Sequence, residues 1–296
     1  MSSRWEGKSK GTVLGYKIFV FTLKVLGIGF AYFLLRFVSL YYLLFSWKSN
    51  KPLLFYYKKI LSTSSLYTWW YLYKNYYNFG QTLLDKTVVM SGIKTKFSFD
   101  FENEYYLKEM AAKGKGGILI SAHIGNWEIA GHLLERIEQK INIVMYDAEH
   151  EKIKDYLSDV VTERSFNIIV VNEQNFSHIY EISDALARNE IICIHGDRFV
   201  EGSKSVVKNF FGRAAEFPIG PYILAVQYNV PVYFVYAMKD TSSHYHLYAF
   251  EPEGKLGEIK NKKQRAEALL EQYIANLEKM LLKYPTQWYN FYRFWL

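Results

Sequence analysis

The chain has 296 residues, half of them hydrophobic, 18% aromatic and 22% charged. This composition excludes intrinsic disorder, a coiled coil and a collagen-like repeat, and the length is enough for a sizeable core. The formal charge of +7 suggests nucleic acid only until it is mapped: residues 1–60 carry ten Lys and Arg against one acid, Glu6, whereas the other 236 residues carry 26 bases and 28 acids. The body of the protein has no excess positive charge, so nucleic acid is not an expected partner and the basicity belongs to an N-terminal arm. With one cysteine, Cys193, neither an intramolecular disulfide nor a cysteine-based zinc cage can form, and a reducing, cytoplasm-facing compartment is the default.

From residue 12 to 47 nearly every position is apolar or aromatic. A spanning helix needs about 20 consecutive apolar residues. Here two uncharged runs of eleven, 25–35 and 37–47, are separated by Arg36. An arginine at mid-bilayer costs roughly 2.5–3.5 kcal/mol, which the surrounding Leu, Phe, Val and Ile offset. A single span, an interfacial helix with snorkelling Lys and Arg, and burial in a soluble core are the three arrangements open to such a segment. Its basic flanks suit an anionic membrane surface. Because no A-x-A cleavage pattern follows, the expectation is a retained anchor over residues 1–50 and a single catalytic domain over 51–296.

Residues 53–80 are rich in Tyr and Trp and predict two short helices, placed over the core or at a membrane interface. Beyond Gly116 the pattern changes. Short apolar runs at 117–122, 141–146, 167–172 and 191–196 predict buried strands, and 231–239 and 244–251 predict two more. Helical periodicity covers 127–139, 151–164, 177–189 and 261–283. The fold class is therefore α/β, a mostly parallel central sheet flanked by helices, preceded by a hydrophobic membrane helix.

The segment richest in chemistry is SAHIGNWE, residues 121–128. His123 follows an apolar strand and Glu128 falls in the first turn of the next helix. On one continuous helix the two would diverge by about 140°, so they meet only if His123 lies outside it. Gly125 and Asn126 supply the turn and the N-cap for that reversal. A carboxylate on one imidazole nitrogen fixes the tautomer and stabilises the cation formed when the other takes a proton, which makes His123 an oriented base. No G-x-S-x-G elbow is present and Cys193 lies within an apolar strand, so the base has no enzyme nucleophile to activate and acts on a substrate hydroxyl.

HIGNWE resembles the H-x4-D/E motif of glycerolipid acyltransferases, and more closely the H-x-G-N-W-E form of the late lipid A acyltransferases of Gram-negative bacteria. The FFGRA run at 210–214, the VPV run at 230–232 and Glu163-Arg164 are similar to further blocks of that family. Asp197, in HGDRF, stands at the family's Asp-Gln position with Arg198 replacing the Gln, and Phe217-Pro218 replaces the usual Thr pair. The resemblance implies an acyltransferase domain that needs no metal or cofactor and works at the bacterial inner membrane with its catalytic part towards the cytoplasm. The donor it implies is acyl carrier protein or acyl-CoA, and the acceptor a hydroxyl of a lipid A precursor or a related membrane lipid. In that scheme His123 is the general base and Glu128 orients it, while Asn126, Arg164, Asp197, Arg198 and Arg213 are the substrate-binding positions, the arginines because their forks match phosphate oxygens. A lysophospholipid, aminolipid or polyene lipid acceptor, and an inactive lipid-binding protein of the same fold, remain as alternatives.

His244 and His246 share a strand face but lack a nearby third metal ligand in sequence. His195 and Asp197 share a face too, suited to a structural or orienting role. Residues 114–117 (GKGG) precede a strand, unlike a phosphate loop. Asn175 begins a glycosylation pattern that a cytoplasm-facing bacterial chain does not use. The aromatic tail, 287–295, is expected to be buried.

Overall fold

A computed structural model of the chain describes residues 13–90, 96–133, 139–146, 166–171, 177–198, 203–254 and 256–296. The helix expected over 151–164, together with Arg164 and Asn175, lies outside these residues. Residues up to Lys96 with Met280–Leu296 form one compact unit, and Phe97–Lys279 form another.

The first unit is helical. α1 (Val13–Phe45) is kinked at Gly27, whose φ of 77° and ψ of 174° leave the helical region, a conformation glycine adopts without a Cβ penalty. α2 (Trp47–Phe55) runs into a π-helical turn (Tyr56–Ile60), and α3 (Ser65–Met90) follows. The two helices expected over 53–80 correspond to α2 with its π-helical turn and to α3, but α3 runs on past Gly80 to Met90, a single helix of 26 residues. No proline interrupts it, and its one glycine, Gly80, faces Leu35, where a Cβ would collide with the leucine methyls. One face of α1 (Leu23, Ala31, Tyr32, Leu35) packs on Leu84 and Val88 of α3, and the Tyr32 hydroxyl donates to the buried Asp85. Val25, Phe30, Phe33, Phe37, Leu44 and Phe45, also on α1, are exposed. The 21 residues Val25–Phe45 are long and apolar enough to cross a membrane. The tail is buried as expected: Trp288 and Trp295 pack on Tyr56, and Asn75 Nδ2 donates to the Trp288 carbonyl at 2.8 Å.

The second unit is built on a sheet of β1 (Ser98–Glu102), β2 (Gly117–Ser121), β3 (Ile141–Tyr146), β4 (Phe166–Val171), β5 (Ile191–His195), β8 (Val232–Lys239) and β9 (His244–Phe250). Among the described residues these seven strands lie in the order β1-β9-β8-β2-β5-β3-β4. All neighbours are parallel except β8 and β9. β2 is central and buried on both faces, which is why GILIS reads as an unbroken apolar run. The flanking helices are α4 (Glu104–Ala112), α5 (Trp127–Leu133), α6 (Ser177–Ala187), α7 (Gly220–Tyr228) and α8 (Lys262–Lys283).

β6 (Ser205–Phe210) and β7 (Arg213–Pro218) form a separate antiparallel hairpin. Its turn is Phe211-Gly212, with φ of 52° and 76°, two left-handed positions in succession as a tight hairpin turn requires. The hairpin is tied to α8 by the Lys208 ammonium, 3.0 Å from Glu267 and 2.8 Å from Glu271, and by the Phe211 amide donating to Glu278. Neither this hairpin nor β1, α4 and α7 is evident in the sequence pattern. β1 is an edge strand of five residues without a buried face, and the hairpin is short and amphipathic.

Candidate active site

β2 and β5 are parallel neighbours in which Ser121 stands opposite His195. The Gly196 amide still reaches the Ser121 carbonyl, at 2.8 Å. Two residues beyond the paired ends, His123 and Asp197 are therefore also opposed, at the carboxyl edge of the sheet where open α/β folds place their ligands. Asp197 Oδ1 is 2.9 Å from His123 Nδ1, and the His123 backbone amide donates to Asp197 Oδ2 at 3.0 Å. The aspartate is buried and the histidine nearly so.

Burial alone would raise the Asp197 carboxyl. The His123 charge and hydrogen bond, then Arg198, then His195, outweigh it and hold Asp197 well below the ordinary carboxylate range. An ionised carboxylate only accepts, so Nδ1 carries the proton it donates to Asp197 and the basic lone pair lies on Nε2. The sequence reading gives the orienting role to Glu128 and counts Asp197 as substrate-binding. The carboxylate on Nδ1 is Asp197, because strand register brings together groups 74 residues apart; Glu128 is half-buried in the first turn of α5. The available signal was positional: each of these residues lies two places past an apolar strand, and that matters only once β2 and β5 are known to be neighbours.

The loop from His123 to Asn126 lies across the end of β8. Gly125 has φ +63°, and a Cβ there would strike the Ala237 carbonyl oxygen, so glycine is required. The Asn126 amide donates to that same carbonyl at 2.7 Å, and its Oδ1 caps α5 by accepting the Ile129 amide at 3.3 Å. Asn126 Nδ2 donates to the Tyr245 hydroxyl at 3.2 Å. This side chain, expected as a substrate contact, is buried. Around His123 the rings of Trp127 and His195 lie at centroid distances of 5.2 and 4.2 Å, a packing that sequence spacing does not reveal.

Of the expected arginines, Arg198 is buried with its charge acting on Asp197. Arg213 is exposed at the start of β7, in a shallow depression of about 330 Å³ lined also by Val207, Lys208 and Asn209. That lining includes neither His123 nor Asp197. Cys193 sits in β5, where burial pushes its thiol up to about 12, in keeping with an inert side chain. His244 and His246 lie 3.4 and 3.6 Å from Asp100 and Glu102, and among the described residues no three metal-ligand side chains converge.

Residues 71–296 match the family model of bacterial lipid A biosynthesis acyltransferases, a stretch that includes every residue of this site. The chain belongs to that family. The phosphatidylinositol mannoside acyltransferase of Mycobacterium tuberculosis strain H37Rv is 25% identical over 122 residues, 41% of this chain and 38% of that protein. Its counterpart in Mycolicibacterium smegmatis is 22% identical over 183 residues, 62% of this chain and 58% of that protein. The matched stretch thus spans less than two thirds of either relative's length.

Proposed function

We propose that the protein moves a fatty acyl chain from a thioester donor, acyl carrier protein or acyl-CoA, to a hydroxyl of a membrane lipid. His123 Nε2 removes the hydroxyl proton, the oxygen attacks the thioester carbonyl, and the thiolate leaves with the proton from the imidazolium. Asp197 remains anionic, holding the tautomer and stabilising the imidazolium. Glu128, at the start of α5, adds a second negative charge in support of that cation. The observation that carries this reading is the His123 Nδ1 contact with a buried, ionised Asp197 at the carboxyl edge of β2.

The acceptor favoured is a sugar hydroxyl on a membrane glycolipid, since the family description and the mycobacterial relatives' names both refer to such lipids. Arg198 and Arg213 are assigned to acceptor or donor phosphates. The exposed face of α1, with Leu66, Trp69 and Trp70 at the start of α3 and the exposed Lys48, Lys51, Lys58 and Lys59, is assigned to the inner membrane's cytoplasmic surface. A monotopic seat suits α1 better than a span, because α3 packs along it with the buried polar Asn75, Gln81 and Asp85.

The test is acyl transfer by purified protein from acyl carrier protein and CoA thioesters to lipid A precursors, mannosylated lipids and lysophospholipids, followed by mass spectrometry. Transfer that is lost in His123→Ala supports the assignment. Transfer at the wild-type rate by that variant, or none by the wild type with any pair, removes it.

A further inference from the structure

His123 is held on one side by Asp197, and its loop must also be held on the other. That second support crosses two strands. After Gly125 the chain bonds to β8 through the Asn126 amide and the Ala237 carbonyl, and the Asn126 side chain reaches past β8 to Tyr245 on β9. β9 runs antiparallel to β8 with Tyr245 opposite Lys239, so the start of β9 lies at the same sheet edge as the end of β8. Tyr245 has no solvent exposure, and its ring stacks on Phe99 at 6.1 Å and meets Phe97 edge-on at 5.8 Å. The Lys239 ammonium lies 5.0 Å from the ring centroid and 3.5 Å from the hydroxyl. A hydroxyl so fixed is a rigid acceptor for Asn126 Nδ2.

We infer that Tyr245 is a positioning residue for His123, acting through Asn126, and this rests on the acyl-transfer role proposed for His123. The chain of contacts is short: the Tyr245 hydroxyl orients the Asn126 amide group, the other end of that group caps α5, and the Asn126 backbone fixes the exit of the loop that begins at His123. General-base geometry is sensitive to displacements of an ångström or less, so loosening this support affects the chemical step more than the binding of lipid or thioester. The sequence gives no warning of this role, because Tyr245 is one of 26 tyrosines and lies 122 positions from His123.

The experiment uses the full-length protein with the donor and acceptor on which the wild type is active. Tyr245→Phe deletes one oxygen and keeps the ring. It is expected to lower kcat about 5- to 20-fold with KM within twofold. Asn126→Ser keeps a capping oxygen but is too short to reach Tyr245, and should lower kcat similarly. The double variant should be no slower than the slower single, because both break the same link. Nitrogen-detected NMR of the His123 ring should show the Nδ1-protonated tautomer in both proteins, with the Nδ1–H signal shifted and broadened in Tyr245→Phe as the loop loosens; an unchanged signal counts against the inference. Wild-type kcat in Tyr245→Phe, or multiplied losses in the double variant, overturns the inference, as does a rise in KM alone. If Tyr245→Phe fails to fold, Asn126→Ser decides alone, and wild-type kcat in that variant overturns it equally. A wild type inactive with every donor and acceptor counts against the proposed function and leaves the NMR comparison to judge Tyr245.

Discussion

Replacing Asp197 by Asn tests the site most directly, because it removes a charge and almost no volume. Asp197 makes two hydrogen bonds to His123, at 2.9 and 3.0 Å, from a fully buried position. Hydrogen bonds to charged groups are worth about 1.5–3 kcal/mol each. An amide keeps one acceptor oxygen for the backbone N–H but offers Nδ1 either a neutral acceptor or a donor that forces the ring into the other tautomer. The imidazolium formed during proton abstraction therefore loses about 2–4 kcal/mol of stabilisation, and at about 1.4 kcal/mol per decade kcat falls roughly 30- to 1000-fold. Because the amide still fills the space, KM changes little. The assay is initial-rate acyl transfer followed by mass spectrometry, with thermal unfolding to confirm that the variant is folded. A folded Asp197→Asn protein with kcat within threefold of wild type would refute the pairing of His123 with Asp197 as the working base.

Gly125→Ala should destabilise by about 2–5 kcal/mol, combining a left-handed backbone with a Cβ driven into the Ala237 carbonyl, and urea unfolding will show it. A midpoint unchanged from wild type would mean that the loop conformation is wrong. Since the folded protein holds the Asp197 carboxyl below its ordinary value, that group contributes stability that is complete above the unfolded pKa, near 4, and is lost as pH falls below it. The stability difference between wild type and Asp197→Asn should therefore shrink as pH falls from 5 towards 3; a difference that does not change over that range contradicts the ionised pair. Cys193→Ser should retain kcat within twofold, and iodoacetamide should not inhibit the native enzyme at pH 7.5, because a buried thiol raised to about 12 supplies almost no thiolate.

Several features were legible in the residues alone. The strands β2, β3, β4, β5, β8 and β9 were announced by apolar runs between turn residues, and the spacing between β2, β3, β4 and β5 suits parallel pairing through helices. HIGNWE was sufficient to place His123 beside a tight turn, since glycine followed by a capping asparagine reverses a strand into a helix in few residues. The concentration of basic and apolar side chains in the first 60 residues likewise set that arm apart from the body in composition. The extension of α3 past Gly80 to Met90 was not legible, because Gly80 signals an end unless Leu35 is known to occupy the space beside it.

Local chemistry determined that a histidine would stand at the end of a strand with its ring outside the following helix. That Asp197 meets its Nδ1 was decided by the register between β2 and β5, which sets groups 74 residues apart at hydrogen-bonding distance. Apolar periodicity records which faces are buried but says nothing of which strand lies beside which. Hydrogen-bond direction between Asp197, His123, Asn126 and Tyr245 was thus fixed only when three separate segments came to share one edge of the sheet.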